Sequence, residues 1–213
     1  MKKYFIFALA AAFAFAACNP DPEVKKDEEE NQNQEQNQEQ NQNQEQEQTV
    51  DDLMTTLCIN EVCGVTGSKG IELYNPTDAE ISLEGVAIFK NAADAATWTG
   101  IATDKLASKG YFVITSKKEF DDIKDVANAK ASDSFSPSKS LLLVLKDKDG
   151  NVLDTFDRGY AQNANTADVT LPTAEGSFAR TADAKKEWKV LAITMGKTNN
   201  GAEVLGEITE DPE

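Results

Sequence analysis

The chain has 213 residues, 21 basic side chains against 37 acidic ones, and a formal net charge of −16. Acid in such excess excludes nucleic acid as a partner, because phosphates are gathered by clustered Lys and Arg. There is no histidine in the chain, which removes Ser-His-Asp and Cys-His catalysis and the usual zinc ligand set.

Lys2 and Lys3 precede an uncharged apolar run from Tyr4 to Ala17. As a helix at about 1.5 Å per residue, that run spans only about 20 Å, too short for a bilayer core. A positive start, an apolar middle and small residues at the end are the parts of a secretory leader. Ala16 and Ala17 stand directly before Cys18, and "FAAC" resembles a bacterial lipobox, with Phe15 where an aliphatic residue is usual. The resemblance implies cleavage after Ala17 and lipidation of Cys18, which would become the membrane-anchored N-terminus. Each buried acyl methylene contributes about 0.8 kcal/mol, so two or three chains hold a protein stably. A plain secretory leader is the other reading of residues 1–17. Loss of that segment removes two lysines and no acid, taking the net charge from −16 to −18.

Residues 18–48 read as a disordered acidic tether rich in Asn, Gln and Glu. Ten acids stand there against Lys25 and Lys26, and no apolar residue occurs from Glu30 to Gln48. Such a segment buries nothing to offset its chain entropy. A coil of its length reaches roughly 30 Å, and self-repulsion extends it. "KKDEEE" (25–30) resembles the short acidic signal that sends some lipoproteins to the outer face of the outer membrane. The implied location is an outer-membrane lipoprotein exposed at the cell surface, the alternative being one that faces the periplasm.

Residues 49–201 have the composition of one globular domain, followed by an acidic tail at 202–213. "TTLCINEV" (55–62), "GIELYN" (70–75), "AEISLEG" (79–85), "VAIFK" (86–90), "GYFVITS" (110–116), "SLLLVLKD" (140–147) and "NVLDTFD" (151–157) read as strands. "NPTD" after Tyr74 marks a turn, and Asp149-Gly150 between two strand runs predicts a hairpin. "SKKEFDDIKDVANA" (116–129) is the one predicted helix, with Phe120, Ile123 and Val126 in step and Ser116 as its cap. Many short strands and a single helix predict an all-β antiparallel sandwich.

Three blocks, "INEVCGVTGSKGIELYNPTDAEISLEGVAIFK" (59–90), "LASKGYFVITS" (106–116) and "SFSPSKSLLLVLKDKDGNVLDTF" (134–156), resemble successive parts of the lamin tail domain. A closing block, "GSFARTADAKKEWKVLAITMGKTNNG" (176–201), is similar to that family's end, with Arg180, Trp188, Gly196 and Asn200 at matching places. The usual Trp after Gly85 and the Gly before Arg180 are missing. The resemblance implies an immunoglobulin-like β-sandwich whose role is binding or tethering rather than catalysis. The expected partner is an unknown protein or glycan, with no cofactor. The rival expectation is an accessory subunit that docks an envelope hydrolase or a glycan-handling complex.

Few residues offer chemistry. Glu61 and Glu72 lie on adjacent predicted strands and could form an acid–base pair, though the resemblance gives both to the strand pattern. Asp147, Asp149 and Asn151 have the spacing of a calcium-loop start, but Arg158 stands where the loop needs a Glu, so a hairpin turn is the reading. Cys58 and Cys63 on one extended strand would lie about 16 Å apart, against about 5.5 Å in a disulfide, so they read as packing residues unless a bulge breaks the strand. The polar run 158–176 suggests a contact surface through Tyr160, Asn163 and Asn165, joined by Trp98. Trp98 and Trp188 read otherwise as covers for the ends of the core.

Overall fold

The computed structural model describes residues 52–137, 140–160 and 175–206. The described residues form thirteen strands: β1 (Cys58–Cys63), β2 (Gly70–Tyr74), β3 (Ile81–Ser82), β4 (Ala87–Lys90), β5 (Ala96–Thr99), β6 (Lys105–Leu106), β7 (Tyr111–Thr115), β8 (Ala127–Lys130), β9 (Leu141–Lys146), β10 (Val152–Arg158), β11 (Gly176–Arg180), β12 (Trp188–Ala192) and β13 (Val204–Gly206). A seven-stranded sheet runs β13-β12-β11-β1-β2-β7-β8, a four-stranded sheet runs β10-β9-β4-β5, and β3 pairs β6 apart from both. Neither large sheet closes on itself, and the domain is an immunoglobulin-like β-sandwich.

Period-two patterning builds the layer between the sheets. Leu141, Leu143 and Leu145 of β9 are buried while the residues between them are half-exposed. Facing them are Ile59, Val62, Ile71, Leu73, Ile114 and Phe178 of the large sheet. Burying a side chain of this size contributes about 1.5–3 kcal/mol. β1 and β2 break the pattern because every residue in both is buried. Their second face, away from the smaller sheet, is covered by loops as well.

The hairpin expected at Asp149-Gly150 joins β9 to β10. Gly150 takes φ +87°, and its N–H donates to Asp147 O at 3.1 Å. Both Asp147 carboxylate oxygens are committed to this turn: Oδ1 accepts from the Asp149 and Asn151 amides, and Oδ2 from Asn151 Nδ2. Asn75 forms a second knot. Its amide nitrogen lies 2.8, 3.2 and 3.0 Å from the carbonyl oxygens of Ala79, Leu106 and Ala107, fixing the turn after β2 against the approach to β7.

The helix expected at 116–129 does not form. That stretch holds only a 3-10 turn at Asp121–Ile123 and then β8, which pairs parallel with β7 in an otherwise antiparallel sheet. Glu119 sits at φ +63°, which stops a right-handed helix at its start. Ser116 is buried and caps nothing; its Oγ accepts the Phe135 amide at 3.4 Å. The apolar spacing of Phe120 and Ile123 serves a plug instead, packed with Cys63, Val113 and Met195 on the second face of the large sheet.

Candidate functional site

The site begins with an irregularity in β1. Opposite β2, Ile59 pairs Leu73 and Glu61 pairs Glu72, so Asn60 is an extra residue and the register shifts there. A bulge of this kind re-aims side chains. Ile59 and Val62 stay in the core, while Asn60 and Glu61 both turn to the second face beside Glu72. Strict alternation would have driven one of these polar groups into the apolar layer.

Two loops close over this face: residues 181–187 between β11 and β12, and a strap at 193–200 after β12. Glu61 Oε1 accepts Ser177 Oγ at 2.6 Å, and both its oxygens receive the Thr194 amide, at 3.1 and 3.2 Å. Glu72 Oε1 accepts Asn60 Nδ2 at 2.9 Å and Oε2 accepts the Gly196 amide at 2.6 Å. Asp183 accepts from Asn60 Nδ2, the Asn199 amide, Tyr111 Oη and Thr198 Oγ1. Gly196 is required where it stands: its φ is +79°, and a Cβ would lie 3.1 Å from that of Val126. Asn60, Glu61, Glu72, Ser177 and Asn199 are all fully buried.

Counting protons fixes the state of Glu61. Thr194 Oγ1 lies 2.6 Å from Glu61 Oε2 and 2.6 Å from Asn199 Oδ1, yet a hydroxyl carries one proton. Asn199 has no proton to offer there, because its Nδ2 donates to the carbonyls of Asn60 and Arg180. Both contacts are hydrogen bonds only if Glu61 Oε2 is protonated and donates to Thr194. Burial acts in the same direction, raising Glu61 above the usual carboxyl range. Glu72 is pushed up to about 9, chiefly by burial and then by the neighbouring Glu61.

A second buried pair lies beside the bulge. Arg180 Nη2 donates to Asp154 Oδ2 at 2.7 Å, Arg180 Nε to Ile59 O at 2.7 Å, and the Ile59 amide to Asp154 Oδ2 at 2.8 Å. The β1–β11 ladder covers only Glu61 and Val62, so these side chains replace it at Ile59. The Arg180 guanidinium lies over the Trp188 ring at 4.7 Å, and Trp188 meets Phe156 edge-on with ring centroids 5.1 Å apart.

Residues 54–159 match the family model of the lamin tail domain. The chain carries a lamin tail domain. That family is one of non-enzymatic, immunoglobulin-like domains. No curated protein matches the chain. The family match ends at Gly159, but β11 pairs with β1 and β12 with β11, so the folded sheet continues beyond the matched residues.

Glu61 and Glu72 do meet across the β1–β2 ladder, sealed from solvent. Of the two readings of Trp98, contact surface or core cover, the structure gives the second: it is a core residue at 6% exposure, packed on Phe112 with ring centroids 5.5 Å apart. Its strand β5 pairs with β4 and puts Trp98 opposite Ile88, on the inner face. Tyr160 is half-buried, and its hydroxyl donates to Asn91 O at 2.9 Å. Asn163, Asn165 and Cys18 lie outside the described residues. Cys58 and Cys63 are buried free thiols in separate apolar clusters. Among the described residues, no group of three or more Cys, Asp or Glu is placed to hold a metal ion.

Sequence reasoning missed Asp154, Asp183, Thr194 and Asn199. Asp154 had a signal: an acid at an inward position of "NVLDTFD" needs a buried cation, and Arg180 is that cation. Asp183, Thr194 and Asn199 sit in loops, where nothing in the local pattern marks them.

Proposed function

We propose that the protein is a lipid-anchored envelope protein that displays its lamin tail domain as a non-catalytic binding or scaffolding module for a protein or glycan ligand. The observation that carries the non-catalytic part is the sealing of Glu61 and Glu72. Both have zero exposure and every oxygen is bonded within the domain, so neither can reach a substrate. The anchor rests on "FAAC" ending at Cys18, and surface display rests on "KKDEEE" downstream. A tether of thirty residues would let the domain reach roughly 30 Å from its anchor.

Fractionation of cells carrying the wild type and Cys18→Ser tests the anchor. The wild type should partition with membranes and incorporate labelled palmitate, and Cys18→Ser should do neither. Equal partitioning of the two would overturn it. Protease treatment of intact cells, followed by crosslinked pull-down on residues 49–213, tests display and binding. Cleavage with recovery of one saturable partner supports the reading. Protection from protease sinks surface display, and absence of any saturable partner sinks the binding role.

A further inference from the structure

We propose that the strap at 193–200 is an alkali-released clasp, held shut by the proton on Glu61 and opened when that carboxyl ionises. This goes beyond the binding role and does not depend on it.

The strap is fastened at both ends. Thr194 and Gly196 give their amides to Glu61 and Glu72, Asn199 ties to Asp183, Asn60 O and Arg180 O, Thr198 Oγ1 donates to Asp183 and Asn200 Oδ1 accepts the Asp183 amide, and Met195 plugs the cluster of Cys63, Val113 and Ile123. Removing the Glu61 proton has two local effects. Thr194 Oγ1 is left with one proton for two acceptors, each 2.6 Å away, so one strong bond becomes a repulsive contact. A negative charge also appears at a fully buried position opposite Glu72 in the β1–β2 register, out of reach of water.

Nothing around the pair compensates. From the 181–187 loop the facing group is Asp183, another acid; from β11 it is Ser177, which is uncharged. From β7 it is Tyr111, whose hydroxyl already donates to Asp183, and Tyr74 shares β2 with Glu72. On β1 the thiols of Cys58 and Cys63 flank the pair, and both are held neutral by burial. The segment 116–126 presents Ile123 and Val126 to the strap, which are apolar. Arg180 is committed to Asp154 and two carbonyls, and Lys69 is paired with Glu119. The strap's own Lys197 is exposed.

Hydrogen exchange on the full chain between pH 6 and pH 9 reads the clasp directly. After correction for intrinsic rates, protection of the Thr194 and Gly196 amides should fall by about tenfold per pH unit once Glu61 begins to ionise. Amides of the β2–β7 ladder should fall less. Glu61→Gln keeps a donor to Thr194 Oγ1, so protection of its Thr194 amide should lose most of the fall with pH seen in the wild type. The proposal is overturned if strap and ladder amides lose protection in parallel, if strap protection is constant in the wild type, or if Glu61→Gln shows the wild-type fall. Carboxyl-carbon NMR of the wild type gives a reading that needs no variant. A protonated Glu61 at pH 7 supports the clasp, and an ionised one sinks it.

Discussion

Arg180 and Asp154 meet 2.7 Å apart and together hold both backbone groups of Ile59. The pair therefore acts as a short surrogate strand where the β1–β11 ladder stops. Removing one partner of a buried ion pair strands the other, which costs about 3–5 kcal/mol. Arg180→Ala and Asp154→Ala should each lower stability to urea by that amount. Arg180→Lys should recover little, since one ammonium cannot serve Asp154, Ile59 O and Lys185 O in the guanidinium's planar arrangement. The double change Arg180→Met with Asp154→Leu should cost less than either alanine variant. A double variant as unstable as the sum of the singles would show that the charges do not act as a pair.

Stability should peak near pH 4–5 and decline towards alkali. Glu61 and Glu72 are raised in the folded state, Glu72 to about 9, from an ordinary value of 4.5. Between those limits the folded protein keeps protons that the unfolded chain has released. The Glu72 contribution is complete below about pH 4.5 and is lost as pH climbs to about 9, at about 1.4 kcal/mol per pH unit, and the Glu61 contribution is lost in the same direction. Asp133 and Asp147 run the other way. The hydrogen bond from Lys90 holds the first below its ordinary 3.8, and the hydrogen bond from Asn151 does so for the second. Their support is present above pH 3.8 and fades in stronger acid. Urea midpoints at pH 3, 5, 7 and 9 would trace this curve. Glu61→Gln should flatten the alkaline limb and exceed the wild type at pH 9; an unchanged slope would rule out Glu61 as its source.

The sandwich was readable from the chain because its strands alternate. Leu141, Leu143 and Leu145 announce an inner face, and Asp149-Gly150 announces the hairpin after it. β5, β6, β8, β11, β12 and β13 were not among the predicted strands; "ANAK" of β8 and "VLG" of β13 are too short and mixed to carry a period, and only pairing makes them strands. The 116–129 helix was misread for a related reason: a three-residue apolar spacing suits a turn that inserts Ile123 between Gly70 and Met195 as well as it suits a helix. Glu61 and Glu72 were visible as adjacent acids, but their burial was not. It depends on a bulge at Asn60 and on a strap more than 120 residues away in sequence, as the separations of 124 for Gly196–Glu72 and 133 for Thr194–Glu61 record. Nothing in "INEV" encodes that cover.

The two thiols of β1 should stay silent in the folded protein. Cys58 packs with Tyr74 and Ala184, Cys63 with Val113, Ile123 and Met195, and burial pushes both up to about 12. A thiolate is the reactive form, so neither should react with an aromatic disulfide reagent at pH 8. In a Cys18→Ser chain, two thiols should appear on full denaturation and none before. Rapid native labelling, or a denatured chain with no free thiol, would contradict the placement of these residues.

Asn91 and Ala92 are the central pair of a β-turn that opens the connection 91–95 between β4 and β5; both are left-handed, at φ 52° and 55°, and the turn is closed by Ala93 N donating to Lys90 O at 3.0 Å. Asparagine tolerates this region, and Asn91 also uses its side chain to accept the Leu142 amide at 2.9 Å. Alanine there carries a Cβ penalty of about 1–2 kcal/mol. Glycine removes that strain but gives the unfolded chain more freedom, which offsets about 0.4–1 kcal/mol. Ala92→Gly should therefore stabilise the domain by about 0.5–1 kcal/mol, read as a higher urea midpoint with an unchanged slope. Asn91→Ala should move the midpoint the opposite way, because it adds a second strained Cβ and leaves the Leu142 amide without its acceptor. If Ala92→Gly is destabilising, the turn does not hold the left-handed geometry that the strand register requires.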